Sequence, residues 1–395
     1  MLKDALILAG GEGTRLHPLT LTRSKVLMPL AGKPLIRWTI DALKKSGIEN
    51  VFVVVGRDDK GVKAYLGDEV TYLTQEDPKG TADAIGKGKG HINGPFICIN
   101  GDVAVDEAIF PELIRFFEEK DANILTVLES PGGRSYGVVE TGSGDKITGL
   151  VEKPATPKSN LINAGIYIFK PEIFEQIGKT EKSSRGEYEI TDSIMMADAY
   201  AFKYGGFWQD LGKPWDMLAA NEFLMKKLKG EVKGNIEPGA TLKGEVYIGE
   251  GSRIRAGAYI RGPVRIGKDC VIGPNCYIRP YSSIGDDVHI GNAVEIKNTI
   301  IMDHTNVPHL SYVGDSLIGE DCNLGAGTNV ANLRFDDAEV KLLIKGSVET
   351  SGRRKFGCVI GDGVKTGINV SIMPGRKINP HKLVKPNTIV SEDVF

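Results

Sequence analysis

From residue 236 an aliphatic side chain recurs at every sixth position: Ile236, Leu242, Ile248, Ile254, Ile260, Ile266, Ile272, Ile278, Ile284, Ile290 and Ile296. The residue after each is usually Gly or polar, and the fifth position of the hexad is small or β-branched (Ala240, Val246, Ser252, Ala258). One inward aliphatic per hexad is the signature of a parallel β-helix, with three hexads to each triangular coil. The aliphatics are expected to fill the prism and the glycines to turn its corners. After Ile296 the phase breaks, resumes at Ile318-Gly319, Leu324-Gly325 and Val330, and returns at Ile360-Gly361, Thr366-Gly367, Ile372 and Ile378. An irregular segment over 302–317 and an insertion over 331–358 are expected between these runs. Interrupted repeats place loops, and loops carry function.

The first 230 residues follow another rule. Apolar runs at Ala5–Ala9, Val51–Val55, Phe96–Ile99 and Ile124–Leu128 alternate with amphipathic stretches near 33–46, 81–90 and 107–119. That alternation predicts βαβ units and a mostly parallel sheet. Pro214–Lys229 reads as a connecting helix. The expected architecture is α/β: a Rossmann-like domain over 1–230, followed by a left-handed parallel β-helix over 231–395. Glycine explains why both halves are needed: 49 of 395 residues is well above the usual share of about 7%. Twenty-seven of them fall before residue 231, so the excess is not a property of the repeat alone.

Composition excludes several classes. A formal net charge of −2 without a long basic run argues against nucleic acid as partner. No apolar stretch approaches the ~20 residues of a membrane span, and the short run after Asp4 is too brief for a signal peptide. The five cysteines lack metal or disulfide spacing, and Cys270, Cys276 and Cys322 occupy the small position of their hexads. A cytoplasmic setting is expected.

The first strand runs into Leu8-Ala9-Gly10-Gly11-Glu12-Gly13-Thr14-Arg15-Leu16, and Lys25 follows within Ser24-Lys25-Val26-Leu27-Met28-Pro29. Glycines at a strand end let backbone N–H groups approach phosphate oxygens. No Gly-Lys-Ser/Thr follows, so this is not a Walker loop. Two cations, Arg15 and Lys25, flank the loop and suit a triphosphate.

This GGxGTRL pattern, with its downstream Lys and LxP, resembles the sugar-1-phosphate nucleotidylyltransferases. Gln75 with Gly80-Thr81 looks like that family's base-reading segment, and Leu8, Gly10, Gly11, Gly13 and Thr14 would complete the nucleotide site. Asp102 of Asn100-Gly101-Asp102 and Asp210 of Trp208-x-Asp210-x-Gly212 resemble its Mg²⁺ ligands. Tyr136-Gly137, Glu152-Lys153-Pro154, Asn163-Ala164-Gly165 and Glu187-Tyr188-Glu189-Ile190-Thr191-Asp192 follow the order of its sugar-pocket motifs, which implies Gly137, Glu152, Lys153 and Asn163 for the sugar phosphate. In such chemistry catalysis is positioning and charge stabilisation, with Arg15 and Lys25 neutralising phosphates.

A second constellation lies in the repeat. His309-Leu310-Ser311-Tyr312-Val313-Gly314-Asp315 resembles the catalytic run of the bifunctional N-acetylglucosamine-1-phosphate uridylyltransferase/glucosamine-1-phosphate acetyltransferase family, in its archaeal form. The resemblance implies His309 as general base, with Arg279, Lys297, Tyr312, Asn323, Ala326, Asn332 and Lys341 around the amino-sugar phosphate. Lys345 is an alternative to Lys341. An amino sugar is an ammonium ion at neutral pH and must lose a proton before it attacks a thioester, a task suited to histidine. The expected activity is acetyl transfer from acetyl-CoA to glucosamine-1-phosphate, then uridylyl transfer from UTP to yield UDP-N-acetylglucosamine and pyrophosphate. UTP and dTTP both remain open as nucleotide. An alternative is a monofunctional glucose-1-phosphate uridylyl- or thymidylyltransferase with a non-catalytic oligomerising solenoid, and a third reading is a regulatory subunit. The resemblance also implies a homotrimer or a dimer of trimers. Leu333-Arg334-Phe335-Asp336-Asp337 and Thr366-Gly367-Ile368 depart from the bacterial pattern.

Overall fold

The computed structural model describes residues 2–130 and 133–395. The chain divides into two compact units, one comprising 1–12, 24–27 and 35–210, the other 13–23, 28–34 and 211–395.

The first unit is built on a nine-stranded sheet. Asp4–Leu8 lies at its centre, parallel to both Asn50–Gly56 and Phe96–Asn100, and Thr71–Gln75 extends the parallel part. Ala5, Leu6 and Ile7 are wholly buried, as expected for a parallel strand covered on both faces. Leu161–Phe169 joins antiparallel to Phe96–Asn100 through its second half and to Gly137–Thr141 through Leu161 and Ile162, and carries Asn123–Glu129 on its opposite edge. The helix expected near 33–46 is Leu35–Lys45, which buries Leu35, Ile36, Thr39, Ile40, Ala42 and Leu43. That spacing is one apolar stripe of a helix. It ends in Lys44 and Lys45, favourable at the negative end of the helix dipole, before Gly47 takes a left-handed φ of 91°. Thr81–Gly86 and Ile109–Lys120 supply the other expected helices.

The second unit contains three eight-stranded parallel sheets. Their strands recur in rotation, so Val246 pairs with Val264, Arg253 with Val271, and Tyr259 with Tyr277. Each pair is 18 residues apart, one coil of the prism. The inward aliphatics from Ile248 to Val390 form one continuous core. Pro214–Lys226 is the connecting helix.

Two expectations need correction. The segment 302–317 is not irregular. Ser283 pairs with Ile300, His289 with Asn306, Glu295 with Tyr312 and Ile300 with Leu317, so the coil is shortened from 18 to 17 residues. The missing residue comes out at two edges, where the buried aliphatics Ile296 and Ile301, and Val313 and Ile318, are five apart. Nor do most of the glycines directly after the aliphatics turn the corners, Gly273 with its φ of 96° excepted. The left-handed positions are mostly the third residue after the aliphatic, such as Asp269, Asn275, Asp287 and Ala293. Gly249, Gly267, Gly285 and Gly291 are needed for close stacking instead: a Cβ on Gly291 would meet the Pro308 carbonyl oxygen at 1.8 Å.

The insertion holds an antiparallel hairpin, Lys341–Ile344 with Ser347–Thr350. The ladder closes behind it, since Leu317 pairs directly with Val359 and Asn329 with Ser371.

Candidate functional sites

In the first unit a cavity of about 280 Å³ opens where three parallel strands end. Leu8, Gly10 and Gly11 from the first strand line it together with Lys25, Gln75, Gly80, Thr81 and Asp102. Ligands of open α/β sheets bind at such carboxyl ends. Gly10 has a packing reason to be glycine: a Cβ there would lie 3.3 Å from the Gly56 nitrogen and 3.4 Å from the Gln75 Oε1. Gly80 has a stronger one, with a φ of 114° and a Cβ position 2.5 Å from the Tyr188 oxygen. Gln75 donates through Nε2 to Asp83 Oδ2 (2.8 Å) and to the Gly80 oxygen (3.3 Å). These bonds fix the orientation of the Gln75 amide. Asp83 was not among the residues the sequence singled out. It lies eight positions after Gln75, one turn into the helix that Thr81 begins. Asn100 and Glu187 also line the cavity.

Lys25 is buried, and its Nζ lies 2.6 Å from Asp102 Oδ2 and 3.7 Å from Asp210 Oδ1. The two carboxylates meet because Val103–Val105 pairs antiparallel with Trp208–Asp210, bringing Asp210 opposite Val103. Two hard oxygen donors thus converge on one cation. A donor pair of this kind fits Mg²⁺, which takes one or two carboxylates and fills its other positions with water and phosphate. Among the described residues there is no group of three or more His, Cys, Asp or Glu side chains that would hold a metal without such help.

The four residues expected to form the sugar pocket come together beside this cavity. Gly137 pairs with Glu152 across adjacent antiparallel strands, and a Cβ on Gly137 would lie 3.3 Å from the Asn163 Cβ. Asn163 donates from Nδ2 to the Tyr167 hydroxyl (2.9 Å), while its Oδ1 accepts from the Gly165 N–H (2.8 Å). A Cβ on Gly165 would reach Asn100, so this strand passes against the cavity wall. Glu152 pairs with Lys153 at 3.3 Å and Arg185 at 3.6 Å. Burial, then the neighbouring Glu152 charge, hold the Glu189 carboxyl above its ordinary range.

Thr14 and Arg15 do not line the cavity that holds Lys25. They belong to the second unit and line a separate cavity of about 230 Å³ with Lys345 and Lys377. Gly13 has a left-handed φ of 66° at the start of the short turn Thr14–Leu16.

In the solenoid, the corner after His309 gathers most of the predicted acetyl-transfer set. His309 ends the strand Asn306–His309 and is exposed, and its carbonyl accepts from the Ser311 hydroxyl at 2.7 Å. The Gly327 N–H reaches the same carbonyl at 3.4 Å, stacking the Gly325–Thr328 run and Ala326 against it. Asn323 lies one coil on, on the strand whose Asn306 partner precedes His309. Tyr312 begins the next face, in register with Glu295, and Glu295 accepts from the Arg279 guanidinium at 2.8 Å. The Tyr312 hydroxyl accepts from Asn332 Nδ2 at 3.1 Å. Burial, then the Asp315 charge, raise the Tyr312 phenol above its ordinary range. Gly314 makes this contact possible, since a Cβ there would meet the Tyr312 hydroxyl at 2.5 Å. Lys297 donates to Asp315 at 2.8 Å. Lys341 stands apart, lining a cavity of about 560 Å³ with Arg334, Arg376 and Glu392. His289 was missed by sequence: it pairs in register with Asn306, and burial, then the nearby Arg255 and His309, lower its pKa.

The fold and these two sites define a class: a nucleotidyltransferase-type α/β unit joined to a hexapeptide-repeat β-helix of the acyltransferase kind. A model of the nucleotidyl transferase family matches residues 4–227, and one described as the GMPPB C-terminal domain matches 260–394. The chain is 41% identical to the "Bifunctional protein GlmU" of Methanococcus vannielii, covering 99% of this chain and 95% of that one. It is 43% identical to the "Bifunctional sugar-1-phosphate nucleotidylyltransferase/acetyltransferase" of Sulfurisphaera tokodaii, covering 99% of this chain and 98% of that one. A crystal structure of UDP-glucose pyrophosphorylase with UDP-glucose superposes with a TM-score of 0.54 and 26% identity, over 57% of this chain and all of that one. The chain belongs to the family of bifunctional sugar-1-phosphate nucleotidylyltransferase/acetyltransferases.

Proposed function

We propose that the protein makes UDP-N-acetylglucosamine by two successive transfers. The amine of glucosamine-1-phosphate attacks the acetyl-CoA carbonyl, the C–S bond breaks, and the CoA thiolate leaves. The phosphate oxygen of the product then attacks the α-phosphorus of UTP, and the bond to pyrophosphate breaks; with dTTP in its place the same step would give the dTDP sugar. The observation that carries this reading is the solenoid corner that follows His309, where Asn332 donates to Tyr312, Lys297 to Asp315 and Arg279 to Glu295. A solenoid serving only for assembly has no need of this set. Residues 1–230 are read as the nucleotidyltransferase part and 231–395 as the acyltransferase part.

In the first reaction His309 takes the proton of the substrate ammonium as general base. Arg279 and Lys297 hold the sugar phosphate, while Tyr312, Asn323 and Asn332 orient the ring hydroxyls so that the nitrogen faces the thioester. Ala326 leaves room for the acetyl group, and Lys341 stays a candidate for a more distant phosphate contact. In the second reaction the N–H groups of the glycine loop, with Lys25, take up charge on the triphosphate, and Arg15 stays a candidate for the same role. Gln75, Gly80 and Thr81 hold the base. Gly137, Glu152, Lys153 and Asn163 hold the sugar phosphate. Mg²⁺, held by Asp102 and Asp210, would neutralise phosphate charge when bound.

The working form is read as a homotrimer or a dimer of trimers in the cytoplasm. Leu310, next to His309, is 62% exposed, which supports a neighbouring prism packing beside that site. No helix among the described residues is long and apolar enough to cross a membrane. The test is a matrix of nucleoside triphosphates and sugar-1-phosphates with Mg²⁺, with and without acetyl-CoA, read by mass spectrometry. His309→Ala should abolish acetylation and spare nucleotidyl transfer. Survival of acetylation in that variant would overturn the assignment.

A further inference from the structure

Asp315 is an acidic side chain onto which Lys297 and Asn332 of the acetyl-transfer corner are tied. Its carboxylate is almost wholly buried, at 3% exposure. Oδ2 accepts from Lys297 Nζ at 2.8 Å and from Asn332 Nδ2 at 2.5 Å, while Oδ1 accepts from Asn298 Nδ2 at 2.9 Å. Through Asn332 the tie continues to the Tyr312 hydroxyl at 3.1 Å. One carboxylate therefore sets the positions of three groups assigned to the amino-sugar phosphate.

The shortened coil explains how it gets there. At the five-residue edges the left-handed corner residue is the second after the aliphatic, not the third: Asn298 after Ile296 and Asp315 after Val313. The two corners stack, with the Asp315 N–H donating to the Lys297 carbonyl at 2.8 Å. Aspartate and asparagine are the non-glycine residues that best tolerate this backbone. The Gly357 N–H donates to the Asp315 carbonyl at 2.8 Å, closing the end of the insertion onto the same corner. The lost residue thus draws a carboxylate under Lys297 and Asn332, where a full-length edge would carry its corner one position further on.

We infer that Asp315 is a positioning residue for amino-sugar phosphate binding: it fixes Lys297 and Asn332 in the geometry that receives the substrate. This rests on the acetyltransferase reading above. Asp315 touches no reacting atom, and its effect has a sign that can be tested. If it were only a counter-charge, removing it would strengthen the attraction of Lys297 for phosphate. As a positioning group its removal frees a long, flexible lysine and an amide, and binding weakens.

The experiment compares wild type with Asp315→Asn, which keeps the shape and one acceptor oxygen. The expected result is a KM for glucosamine-1-phosphate raised roughly tenfold, with a smaller change in kcat. The KM for acetyl-CoA and the nucleotidyl-transfer rate should stay within about twofold. A KM for the sugar phosphate that is unchanged or lower overturns the proposal, as does a loss confined to kcat. Should Asp315→Asn fail to fold, Asn298→Gly tests the same tie. Glycine accepts the φ of 45° at that position, and the change removes only the brace on Oδ1. It should raise the same KM by a smaller factor, and no rise refutes the inference. If wild type itself shows no acetylation, the functional reading has failed. If wild type acetylates and both variants bind sugar phosphate normally, only the role of Asp315 has failed.

Discussion

Lys25 occupies the point between Asp102 and Asp210, and replacing it with methionine separates its electrostatic role from its bulk. At an effective dielectric of about 20, contacts of 2.6 and 3.7 Å give gross attractions of about 6 and 4.5 kcal/mol. Much of this is offset by desolvation of the ammonium, and breaking a buried pair costs a net ~3–5 kcal/mol. The Asp102 side chain is 32% exposed, so water takes up part of the loss. An expected cost of about 2–3 kcal/mol follows, most of it repulsion between two carboxylates left without their cation. For a unit of this size that corresponds to a fall in melting temperature of roughly 4–12 °C. Mg²⁺ should reverse much of it, since an ion at 100 times its dissociation constant stabilises by about 2.7 kcal/mol. The assay is thermal unfolding of wild type and Lys25→Met, each with EDTA and with millimolar Mg²⁺, alongside nucleotidyl-transfer rates. The variant should melt well below wild type in EDTA, approach it in Mg²⁺, and remain inactive in nucleotidyl transfer. Equal melting in EDTA, or a gap that Mg²⁺ leaves unchanged, would refute the account of these carboxylates as one cation site.

Three further outcomes are expected. Gly291→Ala should destabilise the solenoid by about 1–3 kcal/mol by overpacking against the Pro308 carbonyl, measured as a loss of denaturation midpoint; a neutral result would show that the coils slide apart freely. All five cysteines should resist a thiol reagent at pH 8 until the protein unfolds, because burial raises Cys98 and pushes Cys276, Cys322 and Cys358 up to about 12 and Cys270 to about 11. Fast labelling of native protein would contradict that packing. Glu189→Gln should raise the melting temperature at pH 7: a carboxyl whose folded pKa is raised loses its stabilising contribution as pH climbs through that value, and the amide carries no such loss. The gain should vanish below the ordinary value of 4.5, and a gain that persists there would point to packing instead.

The hexad period made the solenoid legible because each inward aliphatic contributes separately to one core, so the pattern survives in the chain itself. The alternation of apolar runs and amphipathic stretches did the same for the parallel strands and their helices. The five-residue edges at 296–301 and 313–318 were not legible. A single missing residue shifts the phase of everything after it, and along a sequence that looks the same as an irregular loop. Glycine was equally ambiguous. Gly249 and Gly291 serve close stacking while Gly80 serves a left-handed φ, and both demands select the same residue. Asp102 and Asp210 could be named only from motif resemblance, because the pairing of Val103–Val105 with Trp208–Asp210 joins segments about a hundred residues apart. Arg15 and Lys341 show the opposite limit. Their charge identified them, but charge does not say which cavity a long side chain will line.

The direct pairing of Leu317 with Val359 and of Asn329 with Ser371 means that the backbone ladder registers the segment 331–358 as zero length. The register of the wound part therefore does not depend on the length of the segment, provided its ends, Asn332 and Gly357, return to the same corner. The hairpin between those ends can be lengthened or shortened without unwinding a single coil. A family in which this hairpin varies while the prism stays constant would alter acceptor choice through a plug-in part and keep its inherited frame.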